Sequence, residues 1–167
     1  MIELKTPLSE EIVSQLKVGD VVSISGYIYC GRDAVLPKIC KEIETGVWKE
    51  RGIELKGGVI FHTAVSSAGV GPTSSNKLEI ESSFETLSKA GIKLHLGKGA
   101  IKQETVKLLE EANAVFAIIP PVTALLESQT QARECMAWQE LGMEALYRIK
   151  VKNYQAIIAA AHGVSIY

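Results

Sequence analysis

The chain has 167 residues, of which 47% are hydrophobic and 22% charged, and its net charge is −1. That length suffices for one domain with a real core, and the charge offers no bulk attraction to nucleic acid or to a membrane surface. No apolar run approaches a membrane span, the stretch Met1 to Pro7 lacks a signal-peptide pattern, and the expected location is cytoplasmic.

Leu8 to Lys17 reads as a short helix, with Ser9 as N-cap and acidic residues in its first turn. Val18-Gly19-Asp20 is a turn, and Val21 to Tyr29 alternates as a β-strand ending at Gly31-Arg32-Asp33. Ala34 to Thr45 is expected to be helical, with Ile39, Cys40 and Ile43 facing inward and Pro37 tolerated near the start. Gly46 to Glu54 is a loop, and Gly57 to Ala64 a second strand. Asn76 to Ala90 carries Ile80, Phe84 and Leu87 on one helical stripe, with Gly91 as its stop. Ile92 to Leu96 is a third strand, and Lys102 to Ala112 a helix burying Val106, Leu108 and Leu109. The continuous apolar run Ala114 to Ile119 reads as a strand buried on both faces. Val122 to Gln131 suits a further helix, Cys135 to Trp138 a short strand, and Gly142 to Tyr147 a turn or one helical turn. Tyr154 to Ala161 is apolar, and Val164 to Tyr167 forms a short final strand. Alternating strands and helices through the middle indicate an α/β class with parallel pairing, the first and last strands lying in a separate antiparallel layer.

Cys30, Cys40 and Cys135 are three in number and form no C-x-x-C pair. They suit neither a disulfide scaffold nor a complete zinc or iron–sulfur site within this chain, and they pack as small apolar groups.

The stretch Ser66 to Lys98 holds the most suggestive chemistry. Gly69, Gly71 and Pro72 shape a turn, and Thr73, Ser74 and Ser75 crowd hydroxyls where the first amides of a helix are free. These hydroxyls serve equally as caps. A Thr hydroxyl takes a proton only if neighbouring charges lower its pKa. Lys77, in the first helical turn, is unfavourably placed for the helix dipole, which leans towards a ligand role. Lys98 stands between two glycines after a strand. Arg32 has two readings, a two-pronged grip on a carboxylate or a plain surface arginine, while Asp33 either aims that guanidinium or caps the helix. His62 and His95 sit in strand-like runs that suit hydrogen-bonded core histidines, and with His162 they lack metal-ligand spacing. Trp48 and Trp138 read as packing residues.

In order and spacing these pieces resemble the beta chain of class I fumarate hydratase, which also occurs as the C-terminal domain of single-chain forms and as the beta subunit of L(+)-tartrate dehydratase. The resemblance is carried by Val18 to Val22, Gly26-Tyr27-Ile28-Tyr29-Cys30-Gly31-Arg32-Asp33-Ala34, Gly71-Pro72-Thr73-Ser74-Ser75-Asn76-Lys77-Leu78, Gly97-Lys98-Gly99, Glu140 to Leu146 and Gly163 to Tyr167. It implies one swivelling β/β/α domain over 1–167, in three layers with mixed parallel and antiparallel strands. It also implies a hydro-lyase that adds water reversibly to fumarate to give L-malate. The [4Fe-4S] cluster is expected on a separate alpha subunit, with no metal held here and a dicarboxylate as substrate. By the same resemblance Thr73 is the catalytic base with Asp33 beside it, and Arg32, Ser74, Lys77 and Lys98 bind substrate.

This sequence departs from the family pattern in several places. Lys77 stands for an arginine, Leu36 and Pro37 for a histidine position, Pro120-Pro121 for a glycine-rich turn, and Ala160 near a usual aspartate. They leave open a tartrate or other hydroxy-diacid substrate, or a non-catalytic domain that binds a diacid or a partner.

Overall fold

The computed structural model describes residues 1–32, 34–51, 53–63, 65–66, 69–70, 77–119, 126 and 129–166, with 65–66, 69–70 and 77–82 given by backbone path. Its strands are β1 (Ile2–Lys5), β2 (Val21–Cys30), β3 (Val59–Phe61), β4 (Val65–Ser66), β5 (Gly69–Val70), β6 (Leu94–Gly97), β7 (Val115–Ile118), β8 (Thr130–Ala137), β9 (Leu146–Ala161) and β10 (Val164–Ser165). The α-helices are α1 (Glu10–Gln15), α2 (Leu36–Thr45), α3 (Lys77–Lys89) and α4 (Gln103–Glu111). Among the described residues no helix is long and apolar enough to cross a membrane.

Strands β2, β3, β6 and β7 run parallel, in that order. The long strand β9 pairs antiparallel with β2 along one edge, and with β8 and then β7 along the other. The pairing β2–β3–β6–β7–β9 therefore returns to β2 and closes a ring. One register row starts at Cys30, passes Phe61, Leu96 and Ala117 to Ile158, and reaches β2 again near Val21, at its opposite end. So large an offset means strongly tilted strands.

Alternation along the strands sorts the core into layers. Val59, Phe61, Leu94, Leu96, Val115 and Ala117 point into the ring, where they meet Val22, Ile24 and Ile28 of β2 and Ile149, Val151 and Ile158 of β9. The alternate residues of the parallel strands face helices. Ile60 packs with Leu36 and Ile39 of α2 and Leu87 of α3, and Phe116 packs with Phe84 of α3 and Val106 and Leu109 of α4. The result is a β/β/α stack of the expected mixed α/β class. The antiparallel strands are joined to the parallel ones through β2 and β9, so the separate layer read from the sequence belongs to one hydrogen-bonded network.

Most elements lie where periodicity puts them. Ser9 caps α1 by accepting a bond from the Ile12 amide at 3.2 Å. Strands β1, β4 and β5 lie outside the strands that periodicity marks, and three of the expected elements differ. The loop at Gly46 to Glu54 contains a 3₁₀ segment, Val47–Arg51. The strand at Cys135 begins earlier, as β8, and takes in Gln131, the tail of the expected helix Val122 to Gln131, whose body lies mostly outside the described residues. The two final apolar segments are parts of a 16-residue strand, β9, and of β10. The hydrophobic alternation within β9 is interrupted by Lys152-Asn153, with Asn153 at φ 58°, which hid its continuity.

Gly91 ends α3 as expected, with φ +123°, and a Cβ there would lie 2.6 Å from the Lys56 Cα. Both the dihedral and the backbone contact demand glycine. Gly91→Ala is expected to cost about 2 kcal/mol or more, read as a lower urea midpoint at unchanged m-value.

Candidate functional site

Because β2, β3, β6 and β7 are parallel, their carboxyl ends share one edge, the usual place for a ligand in such sheets. The ladder continues one step past the strands. Gly31 N–H donates to Phe61 O at 3.1 Å, His62 N–H to Leu96 O at 2.9 Å, and Ile119 N–H to Gly97 O at 3.1 Å. Arg32, Lys98 and Ile119 each follow by two residues the row Cys30–Phe61–Leu96–Ala117, whereas the Thr63 amide turns back to Phe61 O at 2.9 Å. Arg32 and Lys98 are separated by one intervening strand, roughly 10 Å between backbones at the usual strand spacing, which two long cationic side chains can span.

Arg32 is fixed from a distant part of the chain. Its Nε donates to Glu144 at 2.9 Å and 3.0 Å, reaching both carboxylate oxygens. Both side chains are about four-fifths buried, with exposures of 22% and 23%. Antiparallel pairing explains the meeting. Tyr147 at the start of β9 sits opposite Cys30, so the 3₁₀ turn Gln139–Glu144 that precedes β9 arrives at the carboxyl end of β2. Strand β4, which opens the segment leading to Thr73, approaches the same turn. The Glu144 bonds at Nε restrain the guanidinium.

The other expected site residues divide sharply. Lys98 is exposed on the edge, and Lys77 is the first residue of α3. Thr73, Ser74 and Asp33 lie outside the described residues. The N-cap position of α2 is Val35, without a side-chain cap bond, and the Val35 and Leu36 amides both donate to Arg32 O. Whether Asp33 aims that guanidinium or caps the helix falls outside the described residues. Glu144 was not among the expected site residues. Its signal was present in the motif Glu140 to Leu146, but nothing local ties residue 144 to residue 32.

The thiols do not converge. Cys30 lies inside the ring, where burial pushes its thiol pKa up strongly; Cys40 lies on α2 and is pushed up to about 11, mainly by burial. Cys135 lies on β8. Among the described residues no three His, Cys, Asp or Glu side chains gather as a metal site.

Two histidines do meet beneath α3. His62 Nε2 is 3.1 Å from His95 Nδ1, and His95 Nε2 is 2.9 Å from Ser88 Oγ. Phe84 stacks on both rings, at 4.8 Å and 4.2 Å between centroids. Burial holds the His62 pKa down to about 3, and burial with the neighbouring ring holds His95 well below the usual value.

The arrangement so far is a mixed α/β domain carrying cationic side chains on the carboxyl edge of its parallel strands. Comparison with known proteins places it more narrowly: the family model described as fumarase C-terminus matches residues 1–167, and the chain belongs to that family. It is 31% identical to a Methanocaldococcus jannaschii protein provisionally named L(+)-tartrate dehydratase subunit beta, over 96% of this chain and 88% of that one. It is 30% identical to L(+)-tartrate dehydratase subunit beta of Escherichia coli K12, over 96% and 83%. A Geobacillus stearothermophilus protein provisionally named class I fumarate hydratase is 30% identical over the whole of this chain, which spans only 34% of that longer relative.

Neutral burial of the histidines has a consequence for stability. Unfolded histidines titrate near 6.5, and folded His62 near 3. Below 6.5 the unfolded chain binds more protons, so the stability contributed by the neutral pair is present above that pH and is lost as pH falls towards the folded value. Between pH 6.5 and the ordinary glutamate value of 4.5, the urea midpoint should fall. That fall should be shallower in His95→Gln; a flat wild-type profile would contradict neutral burial.

Proposed function

We propose that this chain is the beta-type subunit of an iron–sulfur-dependent hydro-lyase acting on a dicarboxylate, with reversible hydration of fumarate to L-malate as the leading reaction. The observation that carries the reading is the Arg32–Glu144 pair on the same edge as Lys98, in a chain matched along its whole length by the fumarase C-terminus family. Dehydration of tartrate or of another hydroxy-diacid is the second reading. It is favoured by the two relatives named as tartrate dehydratase beta subunits, which this chain covers at 88% and 83% of their own length.

In this proposal Arg32 grips one substrate carboxylate. Glu144 orients the guanidinium and thereby reduces the rotamer freedom lost on binding. Lys98 faces the second carboxylate or the charge that develops as the C–H bond breaks. Thr73 takes the carbon-bound proton, and the neighbouring cations stabilise its alkoxide form. Ser74 and Lys77 add polar contacts, Lys77 as a point charge where an arginine would bind bidentately, and Asp33 supports Thr73 and Arg32.

The cluster implied by the family does not fit the dispersed thiols of this chain. It is assigned to an alpha-type partner subunit, and the steps given to this chain do not pass through it. A non-catalytic role in binding a diacid or a partner predicts the same edge but no turnover.

The test is anaerobic assembly with a cluster-bearing alpha subunit, assayed with fumarate, L-malate and L(+)-tartrate. Arg32→Ala should raise KM tenfold or more, about 1.4 kcal/mol or above. Glu144→Ala should move KM in the same direction by less. Thr73→Ala should mainly lower kcat, by about 100-fold. Activity on none of these diacids would reject the reading, and unchanged kinetics in Arg32→Ala and Thr73→Ala would remove the residue roles.

A further inference from the structure

Buried polar atoms are nearly always paired, because one left unpaired has lost its water without replacement. His62 Nδ1 is such an atom: the residue is 3% exposed, and among the described residues nothing hydrogen-bonds this nitrogen. Its position is informative. The two nitrogens of an imidazole point in widely different directions. Nε2 is turned back to His95, which the register sets level with Ile60, two residues short of His62. Nδ1 therefore points away from His95, and His62 stands one residue past the carboxyl end of β3, the strand that lies between those of Arg32 and Lys98.

The hydrogen-bond chain behind it has two directions of equal charge. In one, Ser88 donates to His95 Nε2, His95 Nδ1–H donates to His62 Nε2, and His62 presents an Nδ1–H donor. In the other, His62 Nε2–H donates to His95 Nδ1 and His95 Nε2–H donates to Ser88 Oγ, leaving a lone pair on His62 Nδ1. The two arrangements hold the same number of protons: passing from the first to the second releases one at His62 Nδ1 and takes one up at Ser88 Oγ, so neither ring ionises, as suits two imidazoles that burial keeps neutral.

We infer that His62 is a binding residue of the candidate site: its Nδ1 hydrogen-bonds an oxygen of the bound diacid, as donor to a carboxylate or as acceptor from a hydroxyl. His95 and Ser88 are positioning residues that set its tautomer. This rests on the diacid reading of the edge.

The experiment is a titration of the 167-residue chain, ¹⁵N-labelled at histidine, arginine and lysine, with fumarate and separately with L(+)-tartrate. Saturable shifts at Arg32 and Lys98 together with a change at His62 Nδ1 are expected. Shifts at Arg32 and Lys98 with His62 unmoved overturn the inference and leave the diacid reading standing; no shift at any of the three overturns both. Two variants separate contact from packing. Asn keeps a polar atom near Nδ1, and Gln keeps one near Nε2. His62→Asn should hold Kd within about threefold of wild type, whereas His62→Gln should weaken it about tenfold. The reverse order assigns His62 to structure alone.

Discussion

Closure of the strand ring is the constraint on which the site depends. Strand β9 bonds to β2 on one side and to β7 on the other, and this holds the antiparallel and parallel halves in one register. Without that double pairing the four parallel strands would still align Arg32 with Lys98. The turn before β9 would then have no reason to reach them. Ring closure delivers Glu144 to Arg32 across 112 residues of sequence, and it does so through backbone bonds whose positions are set by a packed interior. The interior fills with β-branched and aromatic side chains of alternating strands, and slipping any strand by one residue would turn its apolar set outward.

The carboxyl edge gains its character from what stands behind it. Phe84 stacks on His62 and His95 beneath α3, so the two imidazoles are packed in the apolar layer between the parallel strands and that helix. Burial there keeps the histidines from adding charge of their own. The cations of the edge come from arginine and lysine.

Helix and strand positions were largely legible because periodicity and end signals are local. Ser9, Gly91 and the alternation of Val21 to Tyr29 each act within a few residues of themselves. The class of fold followed from the alternation of elements. The continuity of β9 did not, because Lys152 and Asn153 interrupt its apolar pattern while the strand remains paired through a bulge. Of the candidate site, Arg32 and Lys98 stood out as cations flanked by glycine or following a strand.

The amino-acid sequence by itself determined most of the side chains that lie inside, the helices and the parallel strands, and which charges are available at the loops after those strands. These depend on hydrophobic spacing and on caps, forces that act over one or two turns. Only the tertiary structure decided that Glu144, not a neighbour in sequence, steadies Arg32, and that His62, His95 and Ser88 form one chain. Such pairings arise from sheet register, which sums the packing of every strand in the ring and so has no local trace.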